Sequence, residues 1–117
     1  MIKSTEKSCQ LHILEYLEQE GYKIYSRINS GHVFTRQGRM FRGAPAGWAD
    51  IIGATKSGRF MAIEVKSKGT YQNPDQKKFQ KDLESIGGLY ILARSVEDVQ
   101  RILESPLADA YKLRSAA

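Results

Sequence analysis

Apolar and polar positions along the chain change period several times, and the changes divide it into elements. From Thr5 to Glu20 the apolar residues recur at helical spacing. Ile13, Leu14 and Leu17 share a stripe with Gln10 and Glu6, while Glu15 falls on the opposite side. Thr5 suits an N-cap, and Gly21 stands where such a helix should end. Tyr22 to Ile28 then alternates, with Tyr22, Ile24, Ser26 and Ile28 on one face and Lys23, Tyr25 and Arg27 on the other. That pattern predicts a half-buried strand with a basic, aromatic outer face. Asn29-Ser30-Gly31 is turn chemistry, and His32–Thr35 can return as a second strand. Arg36 to Gly47 holds no period and carries Gly38, Gly43, Pro45 and Gly47, which predicts one long irregular segment.

Ala49–Ala54 and Arg59–Lys66 read as strands of a hairpin, joined by the turn Lys56-Ser57-Gly58. A polar loop follows, and then Asn73-Pro74-Asp75-Gln76, the pattern of a capping box with proline at the first helical position. The helix is expected to run to about Ile86, with Phe79, Leu83 and Ile86 inward. Gln76 lies on that stripe and faces the sheet near Lys66. Gly87-Gly88 ends the helix, and Leu89–Ala93 is a short buried strand. Because a helical crossover precedes it, it is expected to pair parallel to its predecessor. Ser95 opens a last helix to about Glu104, with Val99, Ile102 and Leu103 as its apolar side, and Pro106 stops it. The expected architecture is α/β: a mixed sheet flanked by helices, in one domain over residues 1–117.

Composition narrows the partners. A chain of 117 residues has room for one core. Eighteen basic against thirteen acidic residues give a net charge of +5 and a pI near 9.4. Such a balance favours a polyanionic partner, the plainer alternative being solubility alone. The single cysteine, Cys9, excludes an internal disulfide and a cysteine zinc cluster, which fits a reducing cytoplasm. No apolar run is long enough to cross a membrane, and the first residues lack a signal peptide's apolar core.

The candidate chemistry lies between Gly47 and Lys66. On a strand Glu64 and Lys66 share one face, and Ile63 and Val65 share the other. Hairpin pairing brings Asp50, early on the first strand, beside Glu64, late on the second. Two carboxylates and an ammonium then converge among apolar residues, which is costly unless a cation joins them. Hard oxygen donors and only two histidines favour Mg²⁺ or Mn²⁺ over zinc. Such an ion polarises a phosphoryl oxygen and lowers the pKa of a bound water. Lys66 is placed to hold or deprotonate that water, or to offset the charge of the pentacovalent state. Glu6 and Gln76 complete the shell from two helices. These are the parts of metal-assisted phosphodiester hydrolysis. Each has a plainer role as well: a surface ion pair for Glu64 and Lys66, a helix cap for Gln76, a complement to the helix dipole for Glu6. His12 and His32 suit surface or packing positions, and Trp48 suits the core or a site wall.

The order Asp50…Glu64-Val65-Lys66 resembles the PD-(D/E)xK nuclease superfamily. The early helix with Glu6 and Gln10, the turn Arg27-Ile-Asn29-Ser-Gly31, Gly47-Trp-Ala-Asp50 and Gln76 resemble its VRR-NUC family, in particular the small stand-alone, virus-type members. The likeness runs from residue 5 to residue 103. It implies a restriction-endonuclease-like α-β-β-β-α-β core and a metal-dependent endonuclease. It further implies that Asp50 and Glu64 bind Mg²⁺ or Mn²⁺ with help from the Val65 backbone carbonyl, that Lys66 is catalytic, and that Glu6 and Gln76 support the site. Ala49 stands where the family usually has proline, a position that shapes the backbone and supplies no ligand. DNA contact is expected from Arg27, Asn29, Arg36, Arg39, Arg42 and Lys68. Relatives of this type imply a homodimer acting on branched DNA, as Holliday-junction resolvases do, in a bacterial or phage-infected cell. The alternative from another class is a non-catalytic or non-selective DNA-binding protein of the same fold. A nucleotide-binding reading lacks a phosphate loop, and an HNH-type nuclease lacks histidines in suitable contexts.

Overall fold

The computed structural model describes residues 2–28 and 32–108. Helix α1 (Ile2–Gln19) leads to β1 (Tyr25–Arg27), β2 (His32–Phe34), β3 (Met40–Arg42), β4 (Ile51–Ala54) and β5 (Phe60–Val65). Helix α2 (Pro74–Ser85), β6 (Leu89–Ala93), α3 (Val96–Leu103) and a 3₁₀ turn (Pro106–Ala108) follow. Four strands form a mixed sheet in the order β1-β4-β5-β6, flanked by helices. β1, β4 and β5 run antiparallel, whereas β6 pairs parallel to β5, as its helical crossover requires. β2 and β3 pair with each other as a separate antiparallel hairpin. With that hairpin set aside, the order from α1 through β6 is α-β-β-β-α-β.

The sheet's two faces are packed differently. On one, Ile51, Met61, Ile63, Val65, Leu89 and Ile91 meet Ile13 and Leu17 of α1 and Val99 and Leu103 of α3. On the other, Ala62 and Tyr90 meet Leu83 and Phe79 of α2, with Ala49 and Ile52 at the margin. β5 is buried on both faces, so its apolar run is nearly continuous and the lone acid within it, Glu64, stands out. Helix α2 has both halves of its capping box. The Asn73 side chain accepts from the Gln76 amide, and the Gln76 side chain accepts from the Asn73 amide. It closes on Gly87 at φ +91°, where the Gly88 N–H reaches the Leu83 carbonyl and the Gly87 N–H the Glu84 carbonyl.

Four local expectations are corrected. Helix α1 begins at Ile2, ahead of Thr5, because no proline or glycine interrupts the preceding residues; Thr5 therefore lies inside it and does not cap it. The strand expected over Tyr22–Ile28 is only Tyr25–Arg27, and its phase is reversed. Tyr25 packs against the core while Ile24 is exposed, since both faces offered large apolar residues and the register opposite Gly53 favours the ring of Tyr25. The segment Arg36–Gly47 contains β3, because Met40 and Phe41 find a partner in β2 across the turn closed by Thr35 and Arg39. Ile86 points to solvent, since α2 stops at Ser85 and the turn of the chain carries residue 86 off the helical stripe. The turn at Asn29-Ser30-Gly31 lies outside the described residues.

Candidate active site

The β4–β5 register pairs Ile51 with Ile63, which sets Asp50 opposite Glu64 at one end of the sheet. The connection entering that end depends on Gly47, at φ +91°. A Cβ there would run into the backbone carbonyl of Asp75, so a side chain would push the Asp50 segment away from the start of α2. Trp48 then lies against Phe79, ring centroids 5.3 Å apart, and walls the α2 side.

At the sheet end the side chains fall into a connected set. One oxygen of Asp50, Oδ2, accepts from the Val65 N–H at 2.7 Å. Glu64 is 4% exposed, and its Oε2 accepts from the Gln76 amide nitrogen at 3.1 Å. The Lys66 ammonium lies 3.9 Å from that same oxygen. The other oxygen, Oε1, is buried and has no hydrogen-bond partner among the described residues. Gln76 therefore caps α2 with its oxygen and holds Glu64 with its nitrogen, so the two roles that its position suggested are one arrangement. Glu6 reaches the same region from α1, where its Oε2 accepts from the Ser67 N–H at 2.8 Å.

The electrostatics follow the geometry. Burial pushes the Glu64 carboxyl up to about 8, with the nearby Asp50 charge adding to the rise and Lys66 opposing it. Burial raises Asp50 too, against the Val65 amide, Lys66 and Arg27, which favour its charge. Both carboxyls thus resist ionising, and the Asp50 charge adds to the cost at Glu64.

Whether a metal fits is a matter of donors. Among the described residues no group of three or more His, Cys, Asp or Glu side chains is gathered for an ion. Asp50 and Glu64 make a pair, while the Glu6 carboxylate is turned to the Ser67 amide. One oxygen of Glu6 is thus engaged by the residue after Lys66. A pair suits Mg²⁺, which keeps several waters and takes one or two carboxylates, and the Val65 carbonyl belongs to the residue whose amide binds Asp50. A cation beside the buried Glu64 Oε1 would give that oxygen a partner.

The other expected residues are less concentrated. Arg27, on β1, is exposed yet near enough to lower the Asp50 carboxyl. Arg36 and Arg39 are exposed at the turn of the β2–β3 hairpin, and Lys68 is exposed in the loop after β5. Asn29 and the side chain of Arg42 lie outside the described residues. Sequence reasoning missed Arg94. Its Nη1 donates to the Ser67 carbonyl at 2.6 Å, so the backbone of Ser67 is bound by Glu6 at its N–H and by Arg94 at its carbonyl. The parallel register of Val65 with Ala93 sets the residue after Ala93 beside Lys66, a register that no local sequence pattern announces. No helix among the described residues is long and apolar enough to cross a membrane. Comparison with known families, curated proteins and solved structures finds no match for this chain.

Proposed function

We propose that this chain is a Mg²⁺- or Mn²⁺-dependent endonuclease of the PD-(D/E)xK type that hydrolyses phosphodiester bonds in DNA, resembles the small stand-alone VRR-NUC proteins, and works as a homodimer on branched DNA. One observation carries the reading: a buried carboxylate pair, Asp50 and Glu64, with an unpartnered oxygen on Glu64 and the Lys66 ammonium 3.9 Å from the other.

In this reading Asp50, Glu64 and the Val65 carbonyl would hold the ion. When bound, it supplies Lewis-acid polarisation of a phosphoryl oxygen and a more acidic water. Lys66 holds the attacking water or offsets charge gathering on the phosphate. Gln76 fixes the orientation of Glu64, and Glu6 with Arg94 fixes the peptide that follows Lys66. The net charge of +5, with exposed Arg27, Arg36, Arg39 and Lys68, suits a phosphate backbone. Symmetric cutting of a four-way junction takes two such sites, one from each copy.

The test is a panel of linear, nicked, flapped and four-way-junction DNAs with Mg²⁺ or Mn²⁺, alongside sedimentation of the protein free and with junction. Metal-dependent cleavage strongest on branched DNA, lost in Asp50→Ala and Lys66→Ala, and a dimeric species are expected. Full activity in Asp50→Ala would rule out the assigned site. Salt-sensitive binding with no cutting under either metal would turn the chain into a DNA-binding protein that keeps the fold alone.

A further inference from the structure

The loop from Ser67 to Asn73 joins two residues of the site, Lys66 and Gln76, and is held at several points. Glu6 binds the Ser67 N–H, while Arg94 and the Thr70 hydroxyl both donate to the Ser67 carbonyl. Further along, the Gln72 amide donates to Gln80 and to the hydroxyl of buried Tyr90. Between Thr70 and Gln72, both anchored, the loop presents Tyr71 at 75% exposure, the highest of any large apolar side chain described. Packing does not account for that placement. The Arg94 guanidinium lies 5.5 Å from the ring's centroid. The guanidinium also bonds to Ser67, so it stands beside the ring and adds positive charge there.

An exposed aromatic ring with an arginine beside it suits stacking on an unpaired base. Every base offers a π-face, and the cation serves the adjoining phosphate. The position relative to the site is bounded by the chain: five residues from Lys66, Tyr71 lies at most about 18 Å away, a few nucleotides along a strand. A paired and stacked duplex hides its base faces, so only DNA with an unpaired nucleotide near the cut can use such a ring.

We infer that Tyr71, held by Arg94, is a stacking platform for an unpaired base beside the scissile phosphate, so that the site prefers DNA with single-stranded character at the cleavage point. The inference rests on the nuclease reading only for the word scissile; the platform itself is a binding claim. It predicts that the preference for a gapped over a blunt duplex, measured as a ratio of affinities in Ca²⁺, falls about 5- to 100-fold in Tyr71→Ala. Tyr71→Phe should keep the preference, and Tyr71→Leu should lose it. A 2-aminopurine placed in the gap should be quenched by the unaltered protein and by Tyr71→Phe, and remain bright with Tyr71→Ala. Because Tyr71 is exposed, the three variants should melt with the unaltered protein.

An unchanged preference in Tyr71→Ala, or equal preference in Tyr71→Leu and Tyr71→Phe, would overturn the platform. Cleavage assays on the same DNAs keep the two readings apart. Quenching without cleavage defeats the nuclease and leaves the platform, whereas cleavage that Tyr71 variants leave equally selective defeats the platform and leaves the nuclease.

Discussion

With one oxygen bonded to Gln76 and the other buried without a partner, the metal-free Glu64 carboxyl keeps its proton to about pH 8, above the 4.5 of an unfolded chain. Between those values the folded protein binds a proton that the unfolded chain releases. Its contribution to stability is therefore complete below pH 4.5 and is lost as pH rises through about 8, at up to roughly 1.4 kcal/mol per pH unit. Thermal melts from pH 5 to 9 should fall toward the alkaline end without metal, and Glu64→Gln should flatten that slope. Millimolar Mg²⁺ should raise the alkaline melts of the unaltered protein and leave Glu64→Gln unmoved. In cleavage, Lys66→Ala should cost about 10²- to 10³-fold in kcat, while Glu15→Ala, exposed on the far side of α1, should leave the rate alone. Gln76 and Asn73 share the capping box, so Asn73→Ala should cost about 1 kcal/mol of stability without loss of cleavage. Gln76→Ala should cost similar stability and slow cleavage as well, the difference measuring its hold on Glu64. These side chains were readable because a period of two fixes which residues share a strand face and hairpin pairing fixes which acids meet. Arg94 was not, since its place depends on a register between β5 and β6 that no local pattern encodes, and Tyr71 was not, since its loop is placed by contacts distant in sequence.

At the scale of elements, a second arginine acts as a staple. Arg59, at the start of β5, donates through Nε to the Gly87 carbonyl at 2.8 Å, through Nη2 to that of Gly88, and through Nη1 to Leu107 at 2.6 Å. It thus ties the sheet to the turn that ends α2 and to the 3₁₀ turn after α3. Arg59→Ala should lower the unfolding free energy by about 2–3 kcal/mol, read by denaturant titration, with the folded spectrum unchanged. The elements with strong signals were legible: the capping box at Asn73, the glycine pair after α2, the short turn of the β4–β5 hairpin. Failures came where two faces were comparably apolar, as in Tyr22–Ile28, or where glycines and proline hid a short strand that needed a partner to exist, as in β3. Ile86 failed for a different reason, because a helical wheel keeps turning after the helix has stopped.

Across the whole molecule, the excess of positive charge sets how binding responds to salt. DNA affinity should fall linearly on a log–log plot against salt concentration, and Arg36→Ala and Arg39→Ala, at the exposed hairpin turn, should each reduce the slope by about one. An unchanged slope in both would remove that hairpin from the DNA surface. The mixed sheet with flanking helices was legible from the order of elements, while the separation of β2–β3 from the main sheet was not, since pairing partners distant in sequence leave no periodic trace.

The central place of β5 bears on how the protein is made. By the time a ribosome has passed Ser85, every acid and ammonium of the site has been synthesised, yet β5 still lacks one neighbour. The wall that grips Ser67 arrives only when residues 89 to 94 emerge and the last sheet strand slots in alongside. A chain broken off in that interval carries Asp50 and Glu64 on a sheet whose β5 edge is still open, with the Arg94 hold on Ser67 not yet made.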